Sequence, residues 1–287
     1  MARGDRYKPH GDAGPYPGKE PRLGSELPGE APLDEAEATR QSSSRLPVPT
    51  HGNFVEGVLR RNGDKDRVGP YRLLGRIGAG TTGVVFRAHH GMLDREVALK
   101  VLRPELAQES KFVARFLREA RLAATIEHPF VERVLDAGEW QGLIYQAHQL
   151  VQGGDLARRL RDSGPLPLPE ACRMALACLG GLEAIHAKGL VHRDIKPANI
   201  LLDHEGQPLL SDLGLVRAVK GEEDGTALTT VGAPLGTPAY MSPEQARGES
   251  RVDGRSDLYS MGVTLFALLS GSSPYKGSTN YEVVANI

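Results

Sequence analysis

The stretch His192-Arg193-Asp194-Ile195-Lys196-Pro197-Ala198-Asn199, followed by Asp212-Leu213-Gly214, constrains this chain more than any other part of it. Two acids, an amide and a lysine fall within about twenty residues. Between Asn199 and Asp212 lie an apolar run, Ile200-Leu201-Leu202, a polar turn, Asp203-His204-Glu205-Gly206-Gln207, and a second short run, Leu209-Leu210. That pattern predicts a hairpin, which would present Asn199 and Asp212 from fixed strand ends near one point. The spacing suits phosphoryl transfer from Mg-ATP. Asp194 would accept the proton of an attacking hydroxyl, Lys196 would neutralise charge on the moving group, and Asn199 with Asp212 would hold magnesium. Any one of these residues alone reads as a turn residue bonded to its own backbone.

Upstream, Ile77-Gly78-Ala79-Gly80-Thr81-Thr82-Gly83-Val84-Val85 has the form G-x-G-x-x-G-x-V, in which glycines let backbone N–H groups approach phosphate oxygens. The same glycines open dinucleotide-binding folds, but there a helix follows. Here Val84-Val85-Phe86-Arg87-Ala88 is β-branched and aromatic at its start and has no N-cap residue, so strand, glycine turn, strand is predicted. Val97-Ala98-Leu99-Lys100 then reads as a strand with an inward lysine that needs an anion, and nucleotide phosphate supplies one. Between Ser110 and Thr125, Val113, Phe116, Leu117, Ala120 and Ala124 recur at helical spacing with Glu119 beside them. Glu119 is the expected partner of Lys100; its alternative is a solvated helix residue paired with Arg115 or Lys111.

Taken together with Ser242-Pro243-Glu244 and Ser256-Asp257-Leu258-Tyr259-Ser260-Met261-Gly262, these ordered motifs make the chain similar to protein kinases from about Tyr71 onward, most closely the bacterial serine/threonine kinases of eukaryotic type. Lys196 and Gly236-Thr237-Pro238-Ala239-Tyr240 resemble the serine/threonine rather than the tyrosine type. The resemblance implies an α+β, two-lobed fold, with a small β-rich lobe over about 69–149 and a mostly helical lobe over about 150–287. It implies ATP and Mg2+ (or Mn2+) as cofactors and protein Ser/Thr hydroxyls as acceptors. Ile77, Gly78, Ala79, Gly80, Thr81, Thr82 and Gly83 would cover the phosphates, and Val85, Ala98 and Leu201 would sandwich the adenine. Asp155 would reach the ribose hydroxyls, cap the helix begun by Leu156, or do both. Leu215 to Tyr240 would be an activation loop with Thr229 and Thr230 as phosphosites, Thr226 behind them and Thr237 structural. A phosphate there could pair with Arg193, beside the catalytic acid. Asp257 would cap the catalytic-loop backbone.

Three departures from the family pattern stand out. The chain stops at Ile287, short of the last helices of the usual carboxy-terminal lobe, which predicts that Glu244 is a buried carboxylate without its arginine. The hinge reads Ala147-His148-Gln149, which predicts a more polar back wall to the adenine pocket, and Leu213 and Ser242 replace phenylalanine and alanine.

The net charge of −1 over 287 residues argues against nucleic acid or a membrane surface as principal partner. Cys172 and Cys178 suit neither a metal clip nor a local disulfide, which fits a reducing cytoplasm. No apolar run approaches bilayer length, so a soluble chain is expected, one that could be anchored through a region beyond Ile287. Residues 1–68, rich in Pro, Gly and Ser, read as a disordered tail. Strands are expected over 71–102 and 131–150, with a hinge near 149–154. A helix over Pro169–Lys188 is expected to bury Cys172, Leu176, Leu179, Leu182 and Ile185, and another to run from Leu258 to Leu269. The functional expectation is a Mg-ATP-dependent serine/threonine protein kinase that phosphorylates its own activation loop and could be activated as a homodimer. The alternatives are a nucleotide-binding pseudokinase scaffold or an inactive truncated fragment; a small-molecule kinase fits Ser242-Pro243-Glu244 less well.

Overall fold

β-branched and aromatic residues recur through residues 67–149, and they form one antiparallel sheet. In the computed structural model, which describes residues 66–80, 82–213, 217–218 and 238–287, the strands are β1 (Arg67–Val68), β2 (Tyr71–Ala79), β3 (Gly83–His90), β4 (Arg95–Leu102), β5 (Val134–Trp140) and β6 (Leu143–Gln149). Their spatial order is β1-β2-β3-β4-β6-β5. The sheet begins before the expected boundary at residue 68: Val68 is fully buried and pairs with Tyr71. The second strand pair starts at Val134, not 131; Val131 makes only an isolated bridge to Leu210.

Register decides which side chains share a face, because cross-strand partners point the same way. Val85 lies opposite Lys100 and Lys100 opposite Gln146; one pleat further, Ala98 lies opposite His148. This face therefore carries the polar groups. The other face buries Val84, Phe86, Ala88, Val97, Leu99, Val101, Leu143, Tyr145 and Ala147 in one apolar cluster. After the short α1 (Pro104–Ala107), α2 (Ser110–Ala123) docks through Phe116 onto Leu102 and Ile144, on the polar groups' side of the sheet.

The second lobe is built on α4 (Leu168–Ala187), which follows α3 (Leu156–Ser163). Pro169 in its first turn and Gly189, at φ +69, just past its end explain where it starts and stops. Its buried stripe is Ala171, Met174, Ala175, Cys178, Leu182 and Ile185. The expected stripe was thus turned by part of a helical turn: Leu176 is 69% exposed and Cys172 is only partly buried. Small alanines let neighbouring backbone approach, which apolar periodicity weighted towards large residues did not register. Both cysteines are free thiols, and burial pushes Cys178 up to about 12. α6 (Gly254–Ser270) packs on α4 and starts four residues before the expected helix, with Asp253 as its N-cap. β7 (Leu190–Val191), β8 (Ile200–Leu202), β9 (Pro208–Leu210), β10 (Arg217–Ala218), α5 (Pro243–Ala246) and α7 (Asn280–Ala285) complete the described elements. Among the described residues no helix is long and apolar enough to cross a membrane.

Candidate active site

β7 delivers a loop, residues 192–199, whose backbone is fixed from below by one carboxylate. Asp257, in the first turn of α6, is wholly buried and accepts from the His192 N–H at 2.9 Å, the Arg193 N–H at 2.7 Å and His186 Nε2 at 2.7 Å. Those donors hold Arg193 in the left-handed region, φ +68, a conformation a non-glycine residue adopts only when its surroundings impose it. Gln245 Nε2 adds a bond to the Arg193 carbonyl at 2.8 Å. The His192 ring, also fully buried, accepts from the Asp194 N–H at Nδ1 (3.4 Å) and donates from Nε2 to the Ser211 carbonyl (3.0 Å). A carbonyl can only accept, so the ring is the neutral Nε2–H tautomer.

The acid at the centre is Asp194. Lys196 Nζ reaches both its carboxylate oxygens, at 2.9 and 2.7 Å, and Asn199 Nδ2 donates to its Oδ2 at 2.7 Å and to its backbone carbonyl at 2.8 Å. With its amide nitrogen committed to Asp194, Asn199 has its Oδ1 available as a hard oxygen donor. The predicted hairpin is present as β8–β9, with Ile200 opposite Leu210. It ties Ser211 to Asn199 by a backbone bond of 2.9 Å, and Asp212 follows in the left-handed region, φ +62. An amide oxygen and an ionised carboxylate on adjoining strand ends form a donor set that fits magnesium.

Lys100, from β4, pairs directly with Asp212 Oδ1. Attraction to Lys100 outweighs burial and holds the Asp212 carboxyl at about 2, with His148 and Lys196 adding to the effect. Burial works against the Lys100 ammonium, but Asp212, Glu132 and Asp194 more than offset it and raise Lys100 above its ordinary value.

The glycine turn, the lysine strand and the acid–amide loop thus converge on one cleft, and the model of the protein kinase domain matches residues 71–287. The chain belongs to the protein kinase family. It is 42% identical over 229 residues, 78% of its length, to a probable serine/threonine-protein kinase of Streptomyces coelicolor. It is 40% identical over 74% of its length to serine/threonine-protein kinase PknL of Mycobacterium tuberculosis, and 37% identical over 75% to serine/threonine-protein kinase PrkC of Bacillus subtilis. The chain spans 33%, 52% and 32% of the lengths of these three relatives.

Within this kinase domain most of the expected site residues come together, but Glu119 and Glu244 have neighbours other than those expected, Asp155 caps a helix, and the loop glycines are not equivalent. Lys100 is held by Asp212, whereas Glu119, buried on α2, lies 4.0 Å from Arg115 one turn earlier. Helical spacing put Glu119 on an inner face but could not say which of two acids reaches the lysine. Asp155 is the N-cap of α3, accepting from the Arg158 N–H at 2.8 Å. Glu244 is only partly buried and is bonded by the Ser256 hydroxyl, so the expected unpaired buried carboxylate is absent. Burial raises Glu244, but hydrogen bonds, chiefly from Ser256, outweigh it and hold the group below its usual range. Finally, the three loop glycines differ. A Cβ on Gly83 would sit 2.3 Å from the Val101 carbonyl oxygen, so Gly83 is required by strand packing, whereas Gly80 faces open space and Gly78 meets only Val85.

Of the residues expected to meet adenine, Ala98 is buried and Val85 and Leu201 are partly buried; Ile77 is 53% exposed. Gly153 in the hinge is needed for close approach: a Cβ there would lie 2.4 Å from the Leu202 carbonyl oxygen. Thr81, Thr82's neighbour in the loop, lies outside the described residues, as do Thr226, Thr229, Thr230 and Thr237. Residue-by-residue reading assigned no part to His192 beyond its motif, nor to Ser211, Gln245 or Glu132. For the bonds that His192 makes to Ser211 and Gln245 to Arg193 no local signal existed, because those partners lie 19 and 52 residues away.

Proposed function

We propose that this domain transfers the γ-phosphate of ATP to Ser and Thr hydroxyls of proteins, and that Thr229 and Thr230 are phosphorylated by the domain itself. The observation that carries this reading is the Asp194 carboxylate, held by Lys196 and Asn199 and left 26% exposed towards the cleft. The acceptor hydroxyl gives its proton to Asp194 as its oxygen attacks the γ-phosphorus in line, and ADP leaves. Lys196, 2.7 Å from Asp194, is placed to neutralise charge on the phosphoryl oxygens, and Lys100 to bind ATP phosphate once it exchanges Asp212 for it. Magnesium neutralises phosphate charge when bound; Asn199 and Asp212 would hold it. Arg193 would sense phosphate on the threonine loop. The similarity to serine/threonine-protein kinases supports the acceptor class.

The test is intact-mass and phosphosite mapping of the protein incubated with Mg-ATP beside Asp194→Asn. The expected outcome is phosphate on Thr229 or Thr230 in the parent and a loss of roughly a hundred- to ten-thousandfold in rate in the variant, with an unchanged melt. Equal labelling of parent and variant would remove Asp194 from the reaction. No labelling of a parent that binds ATP would favour the nucleotide-binding scaffold.

A further inference from the structure

Behind the Lys100–Asp212 pair lies a second polar group that the phosphoryl-transfer machinery does not use. His148 and Glu132 are both buried, each side chain 8% exposed, with His148 Nδ1 3.1 Å from Glu132 Oε2. His148 Nε2 lies 3.2 Å from Gln146 Oε1, and Gln146 Nε2 donates to the Phe116 carbonyl at 3.0 Å. The line therefore runs from the segment before β5, through β6, to the backbone of α2.

Donor counting restricts the protons on this line. The Phe116 carbonyl only accepts, which fixes the Gln146 amide with its nitrogen towards α2 and its oxygen towards His148. An ionised Glu132 also only accepts. Both ring nitrogens of His148 then face acceptors, and a neutral imidazole has one N–H to offer. His192, two loops away, faces one donor and one acceptor and is satisfied as a neutral ring; His148 is not. Leaving an acceptor facing a bare ring nitrogen in a buried site is unfavourable, whereas an N–H on each nitrogen satisfies every group and gives Glu132 a counter-charge.

We propose that His148 is doubly protonated and, with Glu132, is a positioning pair for the nucleotide site. It sets the back wall beside Ala98 and fixes α2 against the sheet through Gln146. His148 acts on Asp212 and Glu132 acts on Lys100, so each member of the second pair faces one of opposite sign in the first. Asp194 from the catalytic loop acts on Lys100 beside Asp212 and Glu132. The positioning role rests on the nucleotide-binding reading above; the protonation of the pair does not.

Two measurements decide this. Long-range 1H–15N correlation spectra of the ring nitrogens, with His148 assigned through His148→Gln, should show two N–H-type nitrogens for His148. One bare nitrogen overturns the doubly protonated pair. Calorimetric ATP binding is then compared in parent, His148→Leu and the double variant Glu132→Val with His148→Leu. The single variant strands a buried carboxylate and should melt roughly 10 °C lower. The double variant, with both polar groups gone, should recover to within about 3 °C of the parent. Its ATP affinity should nevertheless stay about tenfold weaker, because the Gln146 amide that holds α2 has lost the His148 ring that orients it. Affinity that returns along with stability overturns the positioning role, as does a double variant that melts as low as the single one. A parent that binds no ATP defeats the nucleotide reading and the positioning role together, while the ring-nitrogen signature still stands or falls by itself.

Discussion

The catalytic loop and the lysine face of the sheet both bury charge, but they satisfy it differently. Asp257 is wholly buried, and two of its three donors are backbone N–H groups whose positions are fixed once β7 and α6 are packed. Lys100, Asp212, Glu132 and His148 are satisfied by other side chains. Backbone donors cannot change partners without unfolding the loop, whereas a lysine can exchange one carboxylate for another or for phosphate. The first arrangement suits a fixed catalytic frame and the second a site that must admit and release a charged nucleotide.

The largest test of that contrast is Asp257→Ala. Stranding two buried N–H groups should cost on the order of 3 kcal/mol or more and lower the urea midpoint sharply; a near-neutral result would mean that the loop does not depend on this carboxylate. Next comes the glycine turn. Gly83→Ala drives a Cβ into the Val101 carbonyl and should destabilise by about 1 to 3 kcal/mol, while Gly80→Ala, in open space, should leave the melt within about 0.5 kcal/mol. Comparable losses for both would show that the loop glycines are equivalent. Lys100→Met should shift the melt by only about 3 °C, because its partner Asp212 is half open to solvent, yet abolish measurable ATP binding. A collapse in stability would place Lys100 with the fixed frame instead.

The smallest effect is on acid stability. Asp212 sits at about 2 in the fold against an ordinary 3.8, so the pair's contribution is complete above about pH 4 and is lost as pH falls from there towards 2. Subtracting the pH–melt curve of Lys100→Met from that of the parent should isolate a term confined to this window; a flat difference would show that the pair contributes nothing to folding.

Local reading recovered what local chemistry dictates. The strand–glycine–strand turn, the β8–β9 hairpin, the start and stop of α4, and the cluster of Asp194, Lys196 and Asn199 all depend on residues close in sequence. It placed Glu119 inside but did not foresee that Lys100 pairs with Asp212, and it made Leu176 a core residue when that side chain is exposed. Both misses share a cause: periodicity gives a helix its inner face only to within part of a turn, and says nothing of what the face meets. Asp155 had two compatible readings, and its bond from the Arg158 N–H shows the helix N-cap.

The sequence by itself determined the grouping on which the proposed phosphoryl transfer rests, because Asp194, Lys196, Asn199 and Asp212 are carried within one loop and the hairpin that follows it, and their spacing is visible in one dimension. The tertiary structure alone decided the pairings. Which acid holds Lys100, which hydroxyl satisfies Glu244, and which carboxylate meets His148 depend on side chains brought together from 112, 12 and 16 residues apart. Charge buried in a weakly polarisable interior is governed by distances of a few ångströms, and those are fixed only when the lobes are packed.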